Sequence, residues 1–199
     1  KYMKKIYYLF IALASITLSF GQITAQSMDK DQFSSVKEAR QAARAAHKLA
    51  RAEEDQALYN QAVQALKYGS FVIEVDQLVF PRGMTKFVSS LTNFVSMNDG
   101  QAIIQIATSN FYPGQNGLGG ITVSGNASNI TMSTDKHGIV YYNFVDQGIA
   151  VSATVNVQLI GGSNRATVTV YPNFSNNNLT LTGIIVPYSQ SDVFQGQTI

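Results

Sequence analysis

Few of the 199 residues carry groups that do chemistry. Glu74 and Asp76 stand two apart in a stretch of alternating apolar residues. On a strand they share a face, about 7 Å apart. Paired carboxylates at such a separation can hydrolyse glycosidic bonds, although a solvated strand face produces the same spacing far more often. Ser124 precedes Gly125, but no G-x-S-x-G elbow surrounds it. His137 lies in the polar run Asp135-Lys136-His137-Gly138, which reads as a turn. His47 sits among helix formers and reads as a surface residue. Two histidines and no cysteine leave little for a transition metal. No catalytic residue, metal or cofactor is assigned on this basis.

The stretch Asn110 to Gly120 is rich in glycine. A phosphate cradle would need G-x-x-x-x-G-K-[ST] and a helix behind it. This loop has no Lys, and a strand follows. Its glycines suit tight backbone packing, or the lip of a pocket on a rigid sheet. Phe111, Tyr112 and Asn116 are therefore the candidate ligand-binding residues, the two rings offering aromatic surface.

The elements that would position these groups fall into three segments. Lys4 and Lys5 precede the apolar run Ile6 to Phe20, and Ala25 suits the position before a signal-peptidase cut. The run is about 15 residues, short of the ~20 that span a bilayer as a helix. Residues 1–25 are accordingly expected to be a cleaved signal peptide, with Gln26 opening the mature chain. No cysteine follows the cut, so lipid tethering there is not expected. The product would be periplasmic or extracellular.

Residues 26–68 read as a charged, Ala-rich helix. Ser35-Val36-Lys37-Glu38 fits a capping box at its start, and Gly69 fits a stop. Tyr59, Ala62, Val63 and Leu66 form a docking stripe. Arg40, Arg44, Lys48 and Arg51 form a basic face, read chiefly as solvated and secondarily as a contact for anionic lipid.

From Phe71 the period becomes two, and residues 69–199 read as an antiparallel β domain. Ala153, Val155, Val157 and Leu159 share one face, with Thr154, Asn156 and Gln158 on the other. Ala166, Val168 and Val170 repeat the pattern. Asn98-Asp99-Gly100, Gln147-Gly148 and Gly161 to Asn164 read as turns. The phase change after Ile121 predicts a bulge between Gly125 and Asn129. About eight strands result, as a meandering barrel or a two-layer sandwich.

Charge narrows the partners. Charged residues are 13 % of the chain, and half of them lie between Asp29 and Lys67. The formal charge of +2 falls to about −1 without the three leader lysines, which does not fit a nucleic-acid binder. The chain resembles the domain-of-unknown-function family numbered 4251, common in Bacteroidetes. The resemblance is carried by Phe71 to Gln77, Asn93 to Ser96, Asn116 to Thr122, Gly161 to Ala166 and Leu179 to Gly183, and it covers roughly Leu58 to Gly196. It implies an exported protein, often at the cell envelope, and supplies no catalytic residues. The expected role is a non-enzymatic module that binds a small ligand or an envelope protein. A glycan hydrolase using Glu74 and Asp76 and a purely structural part are the alternatives. Membrane contact is expected only transiently through the signal peptide, or through the basic helix face.

Overall fold

The structure, a computed structural model, describes residues 30–108, 114–148, 152–173 and 178–198. It contains two bodies, 1–45 and 46–199. The described part of the first is helical, with exposed side chains from Val36 on. The second holds the remainder of the helix and all the strands.

Helix α1 spans Lys30–Tyr68. It runs through Ser35, so the expected capping box does not mark its start. Lys30 and Gln32 before Ser35 and Lys37, Glu38, Ala39 and Arg40 after it favour helix and carry the backbone past a weak local signal. The stop is where the glycine places it. Gly69 has φ +61°, its N–H donates to Leu66 O at 3.0 Å, and the Ser70 N–H donates to Ala65 O at 3.1 Å. These are the two bonds of a Schellman motif, and they satisfy carbonyls the helix end would otherwise leave bare. Ala62, Ala65 and Leu66 are buried and Tyr59 and Val63 pack beside them, so the expected stripe is the docking face. The Tyr59 hydroxyl donates to Gly138 O at 2.6 Å, fixing the helix to one turn of the sheet.

Nine antiparallel strands follow among the described residues: β1 Phe71–Val79, β2 Thr85–Phe87, β3 Phe94–Asn98, β4 Gln101–Ala107, β5 Gly120–Thr134, β6 Val140–Gly148, β7 Ser152–Leu159, β8 Arg165–Pro172 and β9 Leu179–Pro187. From β3 to β9 each strand pairs with the next in sequence. β1 pairs with β3 on one side and β9 on the other, so eight strands close into a barrel, and β2 is an extra strand on the end of β1. Of the two expected architectures, barrel and sandwich, the chain adopts the barrel. Closure removes the unpaired edges that an open meander would present.

Two bulges shape the wall. In β5 the register slips between Ser128 and Thr131, with Asn129 at φ +52°; this is the expected phase change, and it carries Met132 back against the core. In β1 the register with β9 slips between Val75 and Gln77, leaving Asp76 as the extra residue opposite Gly183.

The interior is filled by one residue in two from the strands of the closed wall. Phe71, Ile73, Val75, Val95, Met97, Ile104, Tyr142, Phe144, Val155, Val157, Val168, Leu181 and Ile185 belong to one buried cluster. Phe71 and Tyr142 meet edge to face at 5.4 Å, a favoured geometry for ring quadrupoles. Part of the outer wall is covered by a segment without periodicity. Val72, Phe94 and Ser96 face outward by register yet are buried. Nearby, the chain beyond β9 bonds back across the wall: Phe194 N–H to Leu91 O, Gly196 N–H to Gln105 Oε1, and Gln197 N–H to Asn116 O.

Candidate functional site

Asn116 is 1 % exposed and its amide is fully engaged. Nδ2 donates to Ile106 O and to Thr122 Oγ1, and Oδ1 accepts from the Leu118 and Gly120 N–H groups at 2.9 and 3.0 Å. All four bonds an asparagine side chain can make are therefore used inside the protein. It holds the Gly-rich loop on β5 and does not present a free amide. Phe111 and Tyr112 lie outside the described residues.

Thr122 continues this network. Its hydroxyl donates to Gln105 Oε1 at 2.8 Å; Gln105 Nε2 donates to Thr92 O and Phe194 O at 3.0 and 2.8 Å. Gln105 is fully buried, with both ends of its amide doubly bonded. It clamps the C-terminal segment to the barrel's outer wall. Gln105→Ala is expected to cost about 2 kcal/mol, because it takes the partner from two backbone carbonyls, one N–H and the buried Thr122 hydroxyl. Limited proteolysis should then cut after Ser191 in the variant at denaturant concentrations where the parent resists.

Glu74 and Asp76 do not form a reactive pair. The Glu74 carboxylate accepts from Ser191 Oγ at 2.7 Å. Asp76 takes a two-point ion pair from Arg165, at 2.9 and 3.0 Å. Each is committed to a bond on the outer wall, where the β1 bulge turns Asp76 toward Arg165. His137 is exposed in its turn, whose Asp135 Oδ1 accepts the N–H groups of His137 and Ile139. His47 is exposed on α1.

Two features lie elsewhere. The first is a recess of about 400 Å³ between the end of α1, the β3–β4 hairpin and β5, lined by Leu66, Met97, Ile130, Met132 and Tyr142 with Lys67 and Asp99. Thioethers and a ring make a soft, adaptable lining, and the Tyr142 hydroxyl spends its proton on Met97 Sδ at 3.3 Å. Burial pushes the Tyr142 phenol up from its ordinary range.

The second is Asp146. It follows Tyr142 and Phe144 in the inward phase of β6 and is fully buried. Its register partners are Ala127 on β5 and Ala153 on β7. Neither carboxyl oxygen has a hydrogen-bond partner among the described residues. A Cβ on Gly125 would lie 2.3 Å from Asp146 Oδ1, so that glycine makes the room the carboxyl occupies. Burial raises the carboxyl from 3.8 to about 6, because the charged form loses its water and gains no partner. The signal was present in the sequence: Val140, Tyr142, Phe144 and Asp146 are in one phase, and an acid in the dry phase of a strand is the anomaly.

A profile of the domain-of-unknown-function family DUF4251 matches residues 53–185. Among solved structures, the chain is similar to a crystal structure of a DUF4251 family protein from Bacteroides eggerthii. The identity is 46 % and the TM-score 0.63, over 72 % of this chain and 96 % of that one. No curated protein matches.

Proposed function

The chain belongs to the DUF4251 family, a domain of unknown function, and we propose that it is an exported cell-envelope protein acting as a non-enzymatic binding module. The observation that carries the binding reading is the recess at the end of α1. Its volume suits a small ligand, and its lining combines apolar side chains with polar groups that could orient one. The favoured occupant is a small molecule with an apolar chain. Glu74 and Asp76 give no support to hydrolysis, since both are engaged on the outer wall.

The export reading rests on the leader pattern of residues 1–25. Expression in a Gram-negative host, followed by fractionation and N-terminal sequencing, should find a chain beginning at Gln26 outside the cytoplasm. An uncut chain in the cytosol would refute this part.

Binding is tested by thermal unfolding against saturated fatty acids of about eight to sixteen carbons. A ligand present at ~100 times its Kd adds about 2.7 kcal/mol to stability. Ile130, 47 % exposed and on the recess wall, is the residue to enlarge. Ile130→Trp should fold and lose the shift. The binding reading fails if no fatty acid stabilises the parent, or if the variant responds equally.

A further inference from the structure

We propose that the stretch of outer wall under residues 192–197 is a docking site for the same segment of a second copy of this chain, the two copies exchanging these straps. Gln105 reads the strap through its backbone: Nε2 donates to Phe194 O at 2.8 Å, and Oε1 accepts the Gly196 N–H at 2.7 Å. Leu91 O accepts the Phe194 N–H at 2.7 Å, and Asn116 O accepts the Gln197 N–H at 3.0 Å. Main-chain bonds of this kind are how proteins hold extended peptides. Gly196 sets the register. A Cβ there would collide with the Asn116 carbonyl oxygen and lie 2.9 Å from Leu118 Cδ1, so the docked segment must carry glycine at this place.

The site outlasts the strap. Gln105 is also held by Thr92 O and Thr122 Oγ1, and the four bonds of the Asn116 amide go to Ile106, Thr122, Leu118 and Gly120. None of these partners lies on the strap, so its departure leaves a preformed track with the space the strap filled. The strap itself is lightly held. Asp192, Phe194, Gln195 and Gln197 are exposed, and segments that bury little open first. Upstream the chain is pinned: Ser191 Oγ donates to Glu74 Oε1 at 2.7 Å, and the Tyr188 N–H donates to Ser70 O at 3.3 Å. The swing therefore starts at Asp192, and six extended residues reach about 20 Å.

The occupant is a second copy because the strap is the segment that fits this site bond for bond, and every copy carries one. Exchange of identical segments rebuilds the same bonds between molecules and is a low-cost route to a dimer. Leu91 and Phe194, joined by a backbone bond, stay 56 % and 62 % exposed. This apolar pair at the strap's edge is surface that a second molecule would cover. A short tether gives each chain's own strap an effective concentration in the millimolar range. Exchange should therefore appear near about 1 mM protein. The recess and the leader play no part in it, so this proposal and the binding reading fail separately.

Light scattering on the purified full chain, equilibrated between about 10 μM and about 1 mM, is the test. The parent's dimeric fraction should rise at least tenfold over that range. Gly196→Val, whose strap can seat in neither molecule, should stay monomeric throughout. If the variant does not fold, the parent still gives a decision. A synthetic peptide of residues 191–198 at several millimolar competes for the site; it should return the dimer to monomer and speed hydrogen exchange at the Phe194 and Gly196 amides. A parent that stays monomeric, a variant that dimerises as the parent does, or a dimer indifferent to the peptide would each overturn the proposal. Peptide capture by a parent that never dimerises would overturn the exchange too, and assign the site to a segment of another protein.

Discussion

Asp146→Asn is expected to remove a pH dependence that runs opposite to ordinary acid denaturation. The carboxyl titrates at about 6 in the folded protein, against 3.8 for its ordinary value. The folded state therefore holds this proton more tightly than the unfolded chain does. Between the two values the folded state binds more protons, so stability falls as pH rises. The contribution is intact below pH 3.8 and gone above about 6. A shift of roughly two units corresponds to about 3 kcal/mol, roughly 2 of it between pH 4 and pH 7. Nothing titratable among the described residues opposes it. Ala127 and Ala153 flank it on β5 and β7, and burial alone drives the shift. Urea unfolding of parent and variant at half-unit steps checks this. Carboxylates common to both cancel in the difference, which should grow in the variant's favour as pH rises. Parallel curves would mean that the carboxyl is hydrated or paired in solution.

That an acid in the dry phase of β6 could pass unnoticed shows what pattern reading captures and what it misses. Local signals were legible. The i, i+3, i+4, i+7 stripe of Tyr59 to Leu66 docks as its spacing requires, because helical geometry alone puts those residues on one face. Asn98 to Gln101 closes a two-residue hairpin with Asp99 and Gly100 both at positive φ, since that turn matches strand twist. The β5 bulge was readable because it breaks a period. What depended on distant partners was not. Glu74 and Asp76 look like a pair until Ser191 and Arg165, far along the chain, each take one. Asn116 reads as an exposed loop amide until Thr122 and the C-terminal segment enclose it. The run Phe94 to Met97 is buried on both faces, which alternation cannot explain. Its outward half lies on the wall that the non-periodic chain after β9 crosses.

Closure of the barrel is the clearest of these non-local facts, and one glycine bears on it most heavily. Replacing Gly183 with valine is expected to cost about 4 kcal/mol. A Cβ there would lie 2.1 Å from Glu74 O, 2.8 Å from Glu74 C and 2.9 Å from Val75 Cα. All three are backbone atoms, so no rotamer change relieves the clash, and the strands must part. They would part at the β1 bulge, where Val75 pairs with Gly183 and Gln77 with Thr182. This is the seam that turns a meander into a closed wall, and the pairing most distant in sequence. Overpacking a core typically costs 1–3 kcal/mol when side chains can yield; a backbone collision that also opens a ladder belongs to the rarer, larger class. Asp76→Ala, which removes the half-exposed ion pair to Arg165 at the same bulge, should cost under about 1 kcal/mol. The contrast separates packing from charge at a single place in the wall. Denaturant midpoints give the two energies, and hydrogen exchange should show the amides of β1 and β9 losing protection first in the valine variant. If Gly183→Val were as stable as Asp76→Ala, the seam would have slack that the close approach of these two strands denies.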